Sequence, residues 1–152
     1  MSDILMQSIA SVSANVKTKK DTMWGENISR IILKDEYIGG FLGLEDFSHA
    51  IIIYHLNEAE FCRDRHLRRH PQNRSDMPCV GIFSQRAKDR PNNIGITSVE
   101  IISVTDDTLT VRGLDAIDGT PVLDIKPYYP AYDCKKDARV PQWADRLMEH
   151  YF

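Results

Sequence analysis

Short alternating runs of apolar and polar residues recur along most of the chain, each too short for a helix and matched to a half-buried strand. They fall at Ile4 to Ala10, Arg30 to Leu33, His49 to Leu56, Val80 to Ser84, Ile96 to Val104, Thr108 to Leu114 and Val122 to Ile125. Seven such runs predict a mostly β chain folded as a barrel or a sandwich. Asp106-Asp107 separates two of the runs and Asp118-Gly119 the last two. Gly supplies the positive φ a tight turn needs, and both places are expected to close antiparallel hairpins.

Helical spacing is rarer. Trp143, Leu147 and Tyr151 recur every four residues behind a proline suited to a first turn, which predicts a short C-terminal helix over Pro141 to Tyr151 packed on the sheet. A second helix is expected from Glu58 to about Arg69, closed by Pro71, whose ring disfavours helix at the residue before it. Arg63 to Pro78 is the most polar stretch and the expected mobile loop.

Composition narrows the class. The 152 residues suit one domain, expected to run over 1–152 with a motif-bearing core at about 4–130 and a helical tail at 141–152. With 42% hydrophobic and 27% charged residues the chain reads as soluble and globular. No apolar run approaches the roughly 20 residues that cross a bilayer. Asp3 stands where a secretory signal would carry a cation, so a cytoplasmic location with no membrane association is expected. Cys62, Cys79 and Cys134 are odd in number and widely spaced, and read as free thiols. A net charge of -3 argues against nucleic-acid binding through global charge, though not against a local basic surface.

Two segments carry candidate chemistry. From Gly81 to Gly95 an apolar strand runs into a loop holding Arg86, Lys88, Arg90, Pro91, Asn92 and Asn93 before the next strand begins. Rigid backbone, amides and charge at a strand end suit a polar ligand, and the planar fork of Arg86 can stack on an adenine or hold a carboxylate. A surface loop made soluble by its cations is the competing reading. From Gly113 to Pro127, Asp115 and Asp118 flank Ala116 and Ile117. Their carboxylates and adjacent backbone could take ribose hydroxyls or an amino group, or the segment could be no more than a hairpin turn.

Other candidates are weaker. Cys62, His66 and His70 are spaced for one helical face, yet they match no standard zinc motif and show no fourth ligand, so no metal is expected. Arg63, Arg65, Arg68, Arg69 and Arg74 could dock phosphates, or form a solvated face balanced by Glu58, Glu60 and Asp64. No Ser-His-Asp or Cys-His set is legible.

Three ordered stretches resemble the signatures of the TsaA-like (TrmO-type) S-adenosylmethionine-dependent tRNA methyltransferase family. They are Gly43-Leu44-Glu45-Asp46-Phe47-Ser48-His49, Gly81 to Gly95 with its Arg-Pro-Asn, and Asp115 to Pro127 with its Asp-Gly-Thr-Pro-Val-Leu-Asp-Ile-Lys-Pro. The resemblance implies a β-barrel, a homodimer, S-adenosylmethionine as cofactor, and methyl transfer to N6-threonylcarbamoyladenosine beside the anticodon of tRNA. It places Arg86, Ile96, Asp115, Ala116, Ile117, Asp118 and Asn57 at the cofactor. If tRNA is the acceptor, Lys88, Arg90, Arg68 and Arg69 are the expected phosphate contacts. Where many relatives have an amino-terminal Pro-Arg-Gln, this chain has Lys17 to Lys20 and then Trp24-Gly25-Glu26, and Asn93 replaces a proline. A small-molecule methyltransferase and a non-catalytic S-adenosylmethionine-binding module are the alternatives.

Overall fold

The computed structural model describes residues 2–152; Met1, which the single-domain expectation includes, lies outside the described residues. Among them are strands β1 (Ala10–Ala14), β2 (Ile28–Leu33) and β3 (His49–His55), a single helical turn α1 (Arg63–His66), and the short strands β4 (Arg68–Arg69) and β5 (Val80–Gly81). The long β6 (Ile94–Val104), β7 (Thr108–Arg112) and β8 (Pro121–Pro127) follow, then α2 (Pro130–Asp133) and α3 (Gln142–Met148).

The mostly β reading holds, and the architecture is a closed barrel in the order β1-β2-β7-β6-β3-β8. It closes because β8 pairs antiparallel with both β3 and β1, which leaves no open edge. Period-2 alternation sends Val12, Ile31, Ile52, Val99, Leu109, Val111 and Val122 into one buried interior. On the other side of β3 and β6, Ile53 faces outward opposite Ile96, and Ile51 opposite Ser98.

Several expectations need correcting. The first strand begins at Ala10, not Ile4, because no strand faces the earlier apolar residues: Ile4 and Leu5 are 84% and 92% exposed. The long helix from Glu58 is a single turn. Without an apolar stripe to bury, the segment lacks what stabilises a short helix, and it ends where Arg68–Arg69 pairs with Val80–Gly81. That pairing also shortens the fourth expected strand, since Ile82–Ser84 is a 3-10 turn that buries Ile82 and exposes Phe83.

Asp106-Asp107 does join the antiparallel pair β6 and β7. Asp118-Gly119, however, does not close a hairpin, because β7 pairs with β2 and β6 while β8 pairs with β1 and β3. Residues 113–120 instead cross one end of the barrel and dock on the start of the chain. Gly119, at φ +82°, donates its N–H to Val12 O, and Asp118 N–H bonds Val16 O. The C-terminal helix is present but starts after Pro141. Tyr151 lies beyond it, and the tail binds back through Met23 N to His150 O and Trp24 N to Tyr151 O.

Candidate functional site

The crossing segment and the loop before β6 meet at one end of the barrel. Tyr54 is an inward position of β3 and stands opposite Gly95 of β6. Its hydroxyl donates to Asp115 Oδ1 at 2.8 Å and lies 3.1 Å from Thr97 Oγ1, which also donates to that carboxylate oxygen. Tyr151, reaching over from the C-terminal tail, donates its hydroxyl to Asp115 Oδ2 at 2.5 Å. Three hydroxyls from three parts of the chain therefore fix one carboxylate. A buried tyrosine needs such a partner for its polar end.

Asp118 is also occupied. Its Oδ1 accepts the Ala14 N–H at 2.9 Å and its Oδ2 the Lys17 ammonium at 2.5 Å. The Lys17 contact, then the Ala14 N–H, hold the Asp118 carboxyl below its usual range. Both aspartates expected at a ligand thus spend most of their side-chain capacity on the protein itself. What stays open is backbone: among the described residues, the N–H groups of Asp115, Ala116 and Ile117 make no hydrogen bond. Such groups are obligatory donors and acceptors, and an extended stretch of them can pair with the edge of a base or a ribose.

Arg86 lies on the outer side of the same end. Its Nη2 donates to Ile96 O at 2.6 Å, and the exposed guanidinium keeps its remaining donors free. Ile96 is half exposed beside it. Asn57 is exposed just past β3, where Leu56 N–H bonds Asn93 O and ties that strand end to the loop. The two motifs are therefore brought together through Tyr54, Thr97 and Asp115, although Ile96 and Thr97 point to opposite faces of their strand.

The expected phosphate contacts divide. Arg68 is exposed, and Lys88 is half-buried with no side-chain hydrogen bond among the described residues. Arg69, by contrast, pairs with Asp89 at 3.6 Å with both side chains under 20% exposed. Arg90 is turned inward as a brace, donating to Gln85 O and Ala87 O. Arg74 is forked onto Asp76. His66 Nδ1 accepts the Cys62 N–H while His70 Nδ1 donates to Met77 O, so the spaced trio is not gathered on one face.

Sequence reasoning gave no site role to Tyr54, Thr97, Tyr151 or Lys17, naming Tyr151 only in the helical stripe and Lys17 only in the amino-terminal departure. A tyrosine at an inward strand position was the available signal for Tyr54; nothing local marks Thr97.

Burial, then the Asp115 charge, push the Tyr54 and Tyr151 phenols above the usual range. The folded state thus holds these protons more tightly than the unfolded chain. Stability is intact below the ordinary phenol pKa of about 10 and falls as pH rises past it, for Tyr54 by about 1.4 kcal/mol per pH unit. A melting series carried above a pH of about 10 should show that decline, with two of the six tyrosines forming tyrosinate only on unfolding. All six titrating freely in the folded protein would contradict it.

Residues 14–134 match the family described as the tRNA-methyltransferase O N-terminal domain. An S-adenosyl-L-methionine-binding protein of Archaeoglobus fulgidus is 37% identical over 135 residues, which cover 86% of this chain and 94% of that one. The mouse tRNA (adenine(37)-N6)-methyltransferase is 38% identical over 102 residues, which are 65% of this chain but 22% of that protein. A crystal structure of TrmO from Pseudomonas aeruginosa superposes with a TM-score of 0.77 at 25% identity, over 94% of this chain and 62% of that chain.

Proposed function

The chain belongs to the tRNA-methyltransferase O family, and we propose that it uses S-adenosylmethionine to methylate adenosine in tRNA, the acceptor being N6 of threonylcarbamoyladenosine beside the anticodon. One observation carries the reading: Arg86, Ile96 and the open backbone edge at Asp115 to Ile117 converge on one end of the barrel. That set fits the cofactor, which presents a carboxylate, an apolar thioether chain and a hydrogen-bonding nucleoside.

When bound, the cofactor supplies an electrophilic methyl group on a sulfonium, so no nucleophilic side chain is required. The protein contributes alignment. Arg86 would hold the carboxylate, Ile96 would cover the apolar portion, and the backbone of Asp115 to Ile117 would read the nucleoside, with Asn57 at its rim and Asp118 anchoring the segment to Val16 and Lys17. Tyr54, Thr97 and Tyr151 keep that edge in place through Asp115. Lys17, anchoring Asp118, stands in the region where many relatives present Pro-Arg-Gln. A tRNA substrate places the reaction in the cytoplasm. A second copy of the chain covers the apolar side chains around Arg86, since Leu67, Phe83 and Ile96 are 38%, 79% and 50% exposed.

The test is methyl transfer from labelled cofactor to tRNA purified from cells lacking the protein, followed by nucleoside analysis. Label on an adenosine derivative supports the proposal. Label only on small molecules favours the small-molecule enzyme, and tight cofactor binding without transfer favours a binding module.

Phosphate docking has its own signature. Arg68→Ala is expected to weaken tRNA binding and to reduce the slope of log affinity against log salt by about one, as loss of one counterion-releasing contact does. Arg69→Ala and Arg90→Ala remove engaged groups, and should lower the melting temperature while leaving the slope nearly unchanged. Equal slopes for Arg68→Ala and the wild type would remove Arg68 from the interface.

A further inference from the structure

The first of the three signature stretches has no part in the cofactor site, and neither do the residues that directly follow the last one, from Tyr128 on. Both meet in one open cleft of about 740 Å³ on the outer wall of the barrel, lined chiefly by Asp46, Phe47, His49, Ser98, Tyr128 and Tyr129. Its aromatic rings are paired: His49 and Tyr128 are 6.3 Å apart between centroids, and Phe47 and Tyr129 are 5.8 Å apart. Tyr128 N–H bonds His49 O at 3.1 Å, which locks the strand end to the loop after β8. Ser48 Oγ lies 2.7 Å from His49 Nδ1 and holds that ring in orientation.

The rings are not core. His49 is exposed, and Tyr129 and Tyr132 are 50% and 75% exposed. Flat π-faces bordered by hydroxyls and a carboxylate are what an unpaired nucleobase requires, with stacking for the ring and acceptors for its amino edge. The rim beyond the cleft carries three cations, Lys135, Lys136 and Arg139, against Asp133 and Asp137. Lys135 sits 5.5 Å over the Tyr132 ring, and neither Lys136 nor Arg139 has an acidic partner among the described residues. Of the two acids, Asp133 accepts the Tyr129 N–H, and Asp137 lies between the cations in sequence.

Position supplies the link to chemistry. Ser98 and Ile96 are alternate residues of β6 on the same outward face, about 7 Å apart along a strand. A base in the cleft is thus one side chain away from the proposed cofactor contact.

We propose that this cleft seats an unpaired purine of a single-stranded RNA loop, stacked against His49, Tyr128 and Tyr129, next to the cofactor. The inference rests on the tRNA reading above and names where the substrate base is held.

The probe is a short single-stranded RNA carrying one 2-aminopurine, whose fluorescence is quenched on stacking, titrated into the full chain. His49→Ala and Tyr129→Ala, both at exposed positions, should each weaken binding roughly tenfold, the scale of one lost stacking contact. Tyr128→Phe should retain affinity and quenching, while Tyr128→Leu should lose both. Cofactor affinity, measured by calorimetry on the same variants, should be unchanged. RNA affinity equal to wild type in His49→Ala and Tyr129→Ala would overturn the proposal, as would loss of cofactor binding alone, which would assign the cleft to the cofactor adenine. A changed sedimentation profile with unchanged RNA affinity would assign it to a second copy of the chain and overturn it too. If the wild type binds no S-adenosylmethionine but quenches the probe, the methyltransferase reading fails and the cleft stands.

Discussion

Arg86→Ala is expected to weaken S-adenosylmethionine binding by roughly 10- to 100-fold while leaving the folded barrel intact. Removing one partner of a charge-assisted hydrogen bond costs about 1.5–3 kcal/mol, and each 1.4 kcal/mol is tenfold in affinity. The fold should survive because Arg86 is exposed and its one hydrogen bond goes to the Ile96 carbonyl. The loop it sits on is held by others: Arg90 braces the carbonyls of Gln85 and Ala87, and Asn93 Nδ2 donates to Lys88 O. Calorimetry with the purified protein, beside a thermal melt, reads both quantities. Arg86→Lys adds a finer test, since an ammonium keeps the charge and loses the planar fork. Affinity restored by Lys would mean that charge suffices; affinity still lost would show that bidentate geometry or stacking is required. Affinity equal to wild type in Arg86→Ala would remove Arg86 from the site.

The contrast between Arg86 and Arg90 shows what the sequence could and could not convey. Both are arginines of one loop, four residues apart, and composition alone ranks them equally. Only the folded chain reveals that one faces solvent and the other donates to the carbonyls behind it. The strands of the barrel were legible because alternation with period 2 is local information, written out in His49 to Leu56 or Ile96 to Val104. The order of those strands was not, so Asp118-Gly119 looked like a hairpin when it is a turn across the barrel end. The same gap hid the ring of hydroxyls on Asp115. Tyr54, Thr97 and Tyr151 are separated from it by 61, 18 and 36 residues, and no local window joins them. The apolar Ile4 to Met6 misled for the reverse reason, since a strand signal needs a neighbour to pair with and none is there.

Gly95→Ala is expected to have the largest effect on stability of any single methyl added to this chain. Gly95 faces Tyr54 across the β3–β6 ladder, and a Cβ there would lie 2.5 Å from Tyr54 Cε2 and 2.6 Å from its Cζ. Real contacts of that length do not occur, so the ring must move. It is held at its far end by Asp115 and Thr97, and moving it breaks those hydrogen bonds as well as the packing. A strand glycine commonly marks such a close approach. Overpacking costs about 1–3 kcal/mol before any lost hydrogen bond is counted. For a chain of this size that is about 3 °C per kcal/mol, so the melting temperature should fall by roughly 5–10 °C. Because Tyr54 steadies Asp115, and Asp115 begins the backbone edge assigned to the cofactor, the variant should also bind S-adenosylmethionine more weakly than its residual stability explains. The ring is the stated cause, and that can be isolated. In a Tyr54→Leu background the added methyl has room, so the second substitution should cost much less than the first alone, a coupling visible in a double-mutant cycle. Equal costs in both backgrounds would mean that the β3–β6 backbone itself, not the tyrosine, requires glycine at this position.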